Sequence, residues 1–178
     1  MRTLLLFSAI ALAFVSCKNM EKFRAPIEGL TTNWDSTTSM LTDFISTLQN
    51  AQQELQSKYA QLTIPEGVAL SEESAQQFAD LKKNYNLHLG DLTELGQEVN
   101  DFVSDWQSQA DNLTALKNDL STGALGSETM EKVENLESTV ESAKTSVEDW
   151  QGELEDVREN TDGLVEQFRA MVTKLQHN

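Results

Sequence analysis

Cysteine, histidine and proline are almost missing from this chain. Among 178 residues there are one Cys, two Pro and two His. With Cys17 alone, no disulfide can form within the chain, so the fold must be held by packing. With so few prolines, long helices can run without interruption. Basic residues are also scarce, 13 Lys and Arg against 29 Asp and Glu, for a formal charge of −16. Such a field repels phosphate backbones and excludes a nucleic-acid role. Beyond residue 17 no stretch is long and apolar enough to span a bilayer, which takes about 20 apolar residues. The glycines, among them Gly29, Gly90, Gly96, Gly152 and Gly163, are scattered and form no phosphate-cradling loop.

What is present begins at the N-terminus. Arg2 precedes an apolar run, Leu4 to Val15, of secretory-signal length and too short for a membrane span. Phe14-Val15-Ser16-Cys17 resembles the lipobox of bacterial lipoproteins, with Phe14 in place of the usual Leu. The resemblance covers residues 1–17 only. It implies removal of a signal peptide, residues 1–16, and acylation of Cys17 with diacylglycerol and often a further chain such as palmitate. Two or three acyl chains anchor far more firmly than one, at about 0.8 kcal/mol per buried methylene. It also implies a bacterial cell-envelope location, membrane-anchored on the periplasmic face or cell surface, in the outer membrane if the cell is diderm. Residues 17–25 then read as a lipidated tether. Its Lys18, Lys22 and Arg24 are suited to anionic headgroups, each contributing about 1 kcal/mol near such a surface.

The remainder, residues 26–178, is long enough for one domain with its own core. Its apolar residues recur in alternating steps of three and four. The third segment runs Val133, Leu136, Val140, Ala143, Val147, Trp150, Leu154, Val157, Thr161, Leu164, Phe168, Met171, Leu175. The second runs from Phe78 through Leu81, Tyr85, His88, Leu92, Leu95, Val99, Phe102 and Trp106 to Leu120. The first runs from Phe23 through Ile27, Leu30, Trp34, Thr37, Leu41, Phe44 and Lys58 to Leu62. Sustained heptads of this kind predict coiled-coil packing. Flanking apolar residues such as Leu89 and Val103 widen the stripe beyond a two-stranded seam.

Two breaks separate the segments. Thr63 to Ser71 holds Pro65 and Gly67 and ends in an N-cap, Ser71, ahead of Glu72-Glu73. Ser121 to Ser127 holds Gly123, suited to a helix C-cap, and Ser127 as the next N-cap. Short breaks make consecutive helices antiparallel. The expected fold is therefore all-α: a long antiparallel three-helix bundle, up-down-up, with helices over about 26–62, 72–121 and 128–176. This loosely resembles the spectrin-type three-helix coiled coil in architecture. Counting back from the breaks brings Trp34 level with Phe102 and Trp106, and sets Trp150 about one heptad away near Val99. A cluster of Trp34, Trp106 and Trp150 is expected.

Chemistry is sparse. His177 is next to last. His88 falls at a core position level with Leu48 and Thr161, which predicts a His88–Thr161 polar layer that fixes register. Zinc needs clustered His or Cys ligands, and none assemble once Cys17 is acylated. No Ser/His/Asp arrangement is readable. Carboxylates abound on the third segment, from Glu128 to Glu159, but a straight helix face splays them into water. Asp35-Ser36-Thr37 resembles a short O-glycosylation sequon of Bacteroidota-type envelope proteins, although Thr37 is assigned to the core. Asn112-Leu113-Thr114 matches the N-glycosylation pattern but lies mid-helix. The expectation is a non-enzymatic, acidic scaffold, spacer or protein-binding surface, without cofactor apart from the lipid. Its partners would be the membrane and an envelope protein or a second copy of itself. The alternative is a lipoprotein holding an apolar or cationic ligand between helices.

Overall fold

The computed structural model describes residues 4–177, and side chains from Met20 to His177. The described residues form an all-α, three-helix bundle with no strand. Helix α1 is Leu4–Gln61, α2 is Glu72–Thr122 and α3 is Thr129–Gln176. The helix boundaries facing the two breaks fall within one residue of the expected ones. The contacts divide the bundle into two compact units, Met1–Leu41 with Phe102–Ser146, and Thr42–Asp101 with Val147–Asn178.

Both ends of α2 and the start of α3 have identifiable causes. The Ser71 hydroxyl accepts the Ser74 backbone N–H at 3.2 Å, and Glu72 and Glu73 sit in the first turn of α2 against the positive end of its dipole. Gly123 closes α2 at φ 75°, and the Ala124 N–H returns to the Asp119 carbonyl at 2.9 Å. That is the Schellman-type closure, which favours glycine at the left-handed position. The start of α3 differs from expectation. Instead of a Ser127 cap, the Gly126 N–H donates to the buried Thr129 hydroxyl at 3.0 Å.

The first unit is built around Phe23, Ile27, Leu30 and Trp34 of α1, Trp106, Leu113 and Leu116 of α2, and Val133, Leu136 and Val140 of α3, all buried. Met20 meets Gly123 and Trp34 stacks on Trp106, so α1 and α2 run antiparallel here. Each of these aliphatic side chains contributes about 1.5–3 kcal/mol when removed from water. The tether expected over residues 17–25 ends sooner. Residues 20–25 are helical and Phe23 is 6 % exposed, because the heptad of α1 begins at Phe23. Pro26 consequently lies inside α1 rather than at its first position.

The second unit repeats the arrangement. The Tyr85 hydroxyl reaches the Leu55 carbonyl and Gln52 reaches the Leu92 carbonyl, so α1 and α2 are again antiparallel. Phe44 stacks near Trp150 and Lys58 pairs with Asp162, so α3 runs parallel to α1. On α3 the predicted positions are buried from Val147 to Thr161 and again at Phe168, with Val165 taking the place of Leu164 between them. Val165 is buried and Leu164 only partly so. A straight helix of 3.6 residues per turn drifts by about 20° per heptad against a 3.5 repeat, and a four-residue step restores the seam.

Candidate functional site

In the first unit the tryptophans form a closed arrangement. The Trp34 and Trp106 rings stack with centroids 3.7 Å apart and 13° between planes. The Trp106 indole N–H donates to the Thr38 hydroxyl at 3.1 Å, and that hydroxyl donates to the Trp34 carbonyl at 2.9 Å. Both indoles are buried, and the Trp106 N–H, a donor that burial would otherwise leave unpaired, is satisfied. Trp150 belongs to the second unit. It is 2 % exposed, its ring centroid lies 5.8 Å from that of Phe44, and its N–H donates to Glu98 at 2.8 Å. The structure thus brings two of the three tryptophans together within one unit and gives the third its own partners.

His88 and Thr161 both lie in the second unit, with different partners. His88 is partly buried and its Nδ1 lies 3.0 Å from the exposed carboxylate of Asp91, one turn along α2. Thr161 is fully buried and its hydroxyl donates to the carbonyls of Val157 and Arg158. The buried polar group beside Thr161 is Tyr85. Its ring is fully buried and its hydroxyl donates to the Leu55 carbonyl at 3.0 Å. Burial pushes the Tyr85 phenol above its ordinary 10.0, partly opposed by the neighbouring Lys58 cation and the Thr161 hydroxyl. Lys58 contacts Asp162 and Glu54, each at 2.7 Å. Those hydrogen bonds, led by Asp162, raise its ammonium above the ordinary 10.5.

Tyr85 stands in the heptad, but periodicity cannot distinguish a tyrosine whose hydroxyl is satisfied inside from one whose hydroxyl reaches water. A glycine carries a clearer signal. A Cβ at Gly96 would lie 3.0 Å from Gln52 Nε2, so the missing side chain lets Gln52 approach the α2 backbone. At Gly90 the corresponding space is open.

The remaining candidate surfaces are open. A groove of about 440 Å³ runs between α2 and α3 of the first unit, with Ala115, Leu116 and Leu136 at its floor and rim together with Gln109, Asn112, Asn135, Thr139 and the charges of Asp119 and Lys132. The carboxylates of α3 and of Glu128 just before it are solvated. Glu128 and Glu141 make local ion pairs with Lys132 and Lys144, and both carboxylates are about 70 % exposed, so each pair is worth little. Among the described residues no group of three or more His, Cys, Asp or Glu is placed to hold a metal ion. Nor is any helix among them long and apolar enough to cross a membrane. Thr37, the last residue of the sequon-like triplet, is fully buried. Cys17 lies outside the residues whose side chains are described, as do residues 1–3 entirely. No protein-family model, no curated protein and no solved structure matches the chain.

Proposed function

We propose that this chain is a lipoprotein of the bacterial envelope, anchored through Cys17, whose acidic helical bundle serves as a non-enzymatic scaffold, spacer or protein-binding surface. The observation that carries this reading is the sequence Phe14-Val15-Ser16-Cys17 at the end of an apolar run, with the packed core starting six residues later at Phe23. The described helix of α1 continues from that motif into the packed heptad, so an anchor at Cys17 would hold the bundle close to the membrane. The scaffold element rests on the character of the surfaces. The grooves are open, the carboxylates are splayed, and the buried polar groups described above serve helix packing.

Two measurements on cells expressing a tagged chain test this. Mass spectrometry of the mature N-terminal peptide should find diacylglycerol on Cys17, and Cys17→Ser should release the protein from the membrane fraction. An unmodified Cys17, or a Cys17→Ser variant still held in the membrane, overturns the anchoring. Crosslinking in the cell should then capture a reproducible foreign protein for a scaffold, or the chain itself for a self-assembling spacer. A purified bundle that turns over a substrate refutes the non-enzymatic part.

A further inference from the structure

Cys17 and Met20 are three residues apart, so their Cα atoms cannot be separated by more than about 11 Å in any conformation. If Cys17 is held at the lipid interface, Met20 is held close to it. Met20 in turn touches the α2–α3 turn: a Cβ on Gly123 would meet its sulfur at 3.1 Å. Met20, Lys22 and Phe23 line one cleft of about 270 Å³ together with Gly123, Leu125 and Gly126. The turn is thereby tied to the same level as the start of the packed α1.

Its chemistry suits that level. Residues 121–127 carry no charge, whereas the α1–α2 connection carries Glu66 and leads into Glu72 and Glu73. Leu125 is partly exposed, and Met130, at 36 %, is the one large apolar side chain that stands exposed among the described residues of the first unit. Around this end, residues 18–28 and 117–132 hold five basic groups (Lys18, Lys22, Arg24, Lys117, Lys132) and five acidic ones (Glu21, Glu28, Asp119, Glu128, Glu131). In a chain with 29 acids against 13 bases, this neutral end can approach an anionic bilayer with the least repulsion.

Resting on the anchored reading above, we propose that the α2–α3 turn is a second membrane contact, in which Leu125 and Met130 enter the lipid interface beside the acylated Cys17. The lipid surface then touches α1 and the turn together, and the first unit is oriented on the membrane rather than swinging from a loose thread.

The test uses the full mature lipoprotein, in which acylation blocks Cys17 and leaves an introduced cysteine unique. Met130→Cys, Ala124→Cys and Ser142→Cys are each labelled with an environment-sensitive fluorophore. All three positions are exposed, and circular dichroism checks that helix content is kept. Ser142 is the control, about 18 Å farther along α3 than Met130. The proteins are reconstituted in phosphatidylethanolamine–phosphatidylglycerol vesicles with a headgroup spin label. Labels at 130 and 124 are expected to lose fluorescence while the label at 142 keeps it. Equal fluorescence at all three positions, with diacylglycerol present on Cys17 by mass spectrometry, overturns the second contact and leaves the anchor standing. An unacylated Cys17 removes the anchor and the second contact together.

Discussion

Thr37 and Thr161 are both fully buried, and their hydroxyls meet opposite fates. Thr161 donates to two backbone carbonyls of its own helix, at 2.7 and 3.0 Å. Among the described residues the Thr37 oxygen has no hydrogen-bond partner. Burying a hydroxyl without a partner costs about 1–3 kcal/mol by mutational measure. Valine has the same branched shape and a similar helix propensity, so Thr37→Val exchanges the unpaired hydroxyl for a methyl group with no change in packing outline. The expected outcome is a bundle more stable by about 1 kcal/mol or more. With a urea slope near 2 kcal/mol/M, the unfolding midpoint should rise by about 0.5 M or more. Thr161→Val, which removes a bonded hydroxyl, should leave the midpoint unchanged or lower it. The assay is urea unfolding followed by both tryptophan fluorescence and circular dichroism, because two contact units call for proof that the probes coincide. A lower midpoint for Thr37→Val at unchanged slope would refute the argument.

Three further outcomes follow from the packing. Stability should decline as pH rises above about 10. Lys58 and Tyr85 both have folded-state values above their ordinary 10.5 and 10.0, so each holds its proton better folded than unfolded. Their contribution is complete below the unfolded values and is lost as pH rises through the folded ones. Tyr85→Phe should cost about 1 kcal/mol at neutral pH and flatten the alkaline decline measured by urea midpoints; an unchanged alkaline slope speaks against the buried phenol. Phe23→Ala should cost about 3 kcal/mol, as for a core aromatic, in thermal or urea unfolding. No effect would return residues 20–25 to the status of a tether.

The fold is legible in the sequence because its code is a period. From Val133 to Thr161 every heptad position predicted on α3 is buried. Ser71 and Gly123 are readable as caps because only a few residue types suit those backbone positions. What is not legible lies where two local signals compete. Seen from the lipobox, the tether extends to residue 25, although the apolar repeat already starts at Phe23. Counting heptads turns His88 inward. In the structure its partner is Asp91, one turn along the same helix, while Tyr85, three residues earlier, is the one of the two that is fully buried. Counting fixes the level of a residue but not the direction its polar end takes. The proposed lipid site is the reverse case, expected from a short motif alone and lying outside the described side chains.

A seam of apolar heptads has a weakness that the polar contacts correct. Sliding one helix by seven residues, about 10 Å, returns an apolar residue to nearly every core position and loses little burial. Directional bonds do not survive such a slip. In the first unit Trp106 on Thr38 sets α2 against α1. In the second, Tyr85 on Leu55 and Gln52 on Leu92 do the same, Trp150 on Glu98 sets α3 against α2, and Lys58 on Asp162 sets α1 against α3. A one-heptad slip of α2 in the second unit would carry Tyr85 away from the Leu55 carbonyl. Its hydroxyl would need a new acceptor, and Gly96 would no longer face Gln52. Each broken bond costs about 1 kcal/mol, and more where the donor stays buried. The polar ends of Tyr85, Trp106 and Trp150 therefore act less as a source of stability than as a selection among registers that the apolar repeat leaves nearly equal.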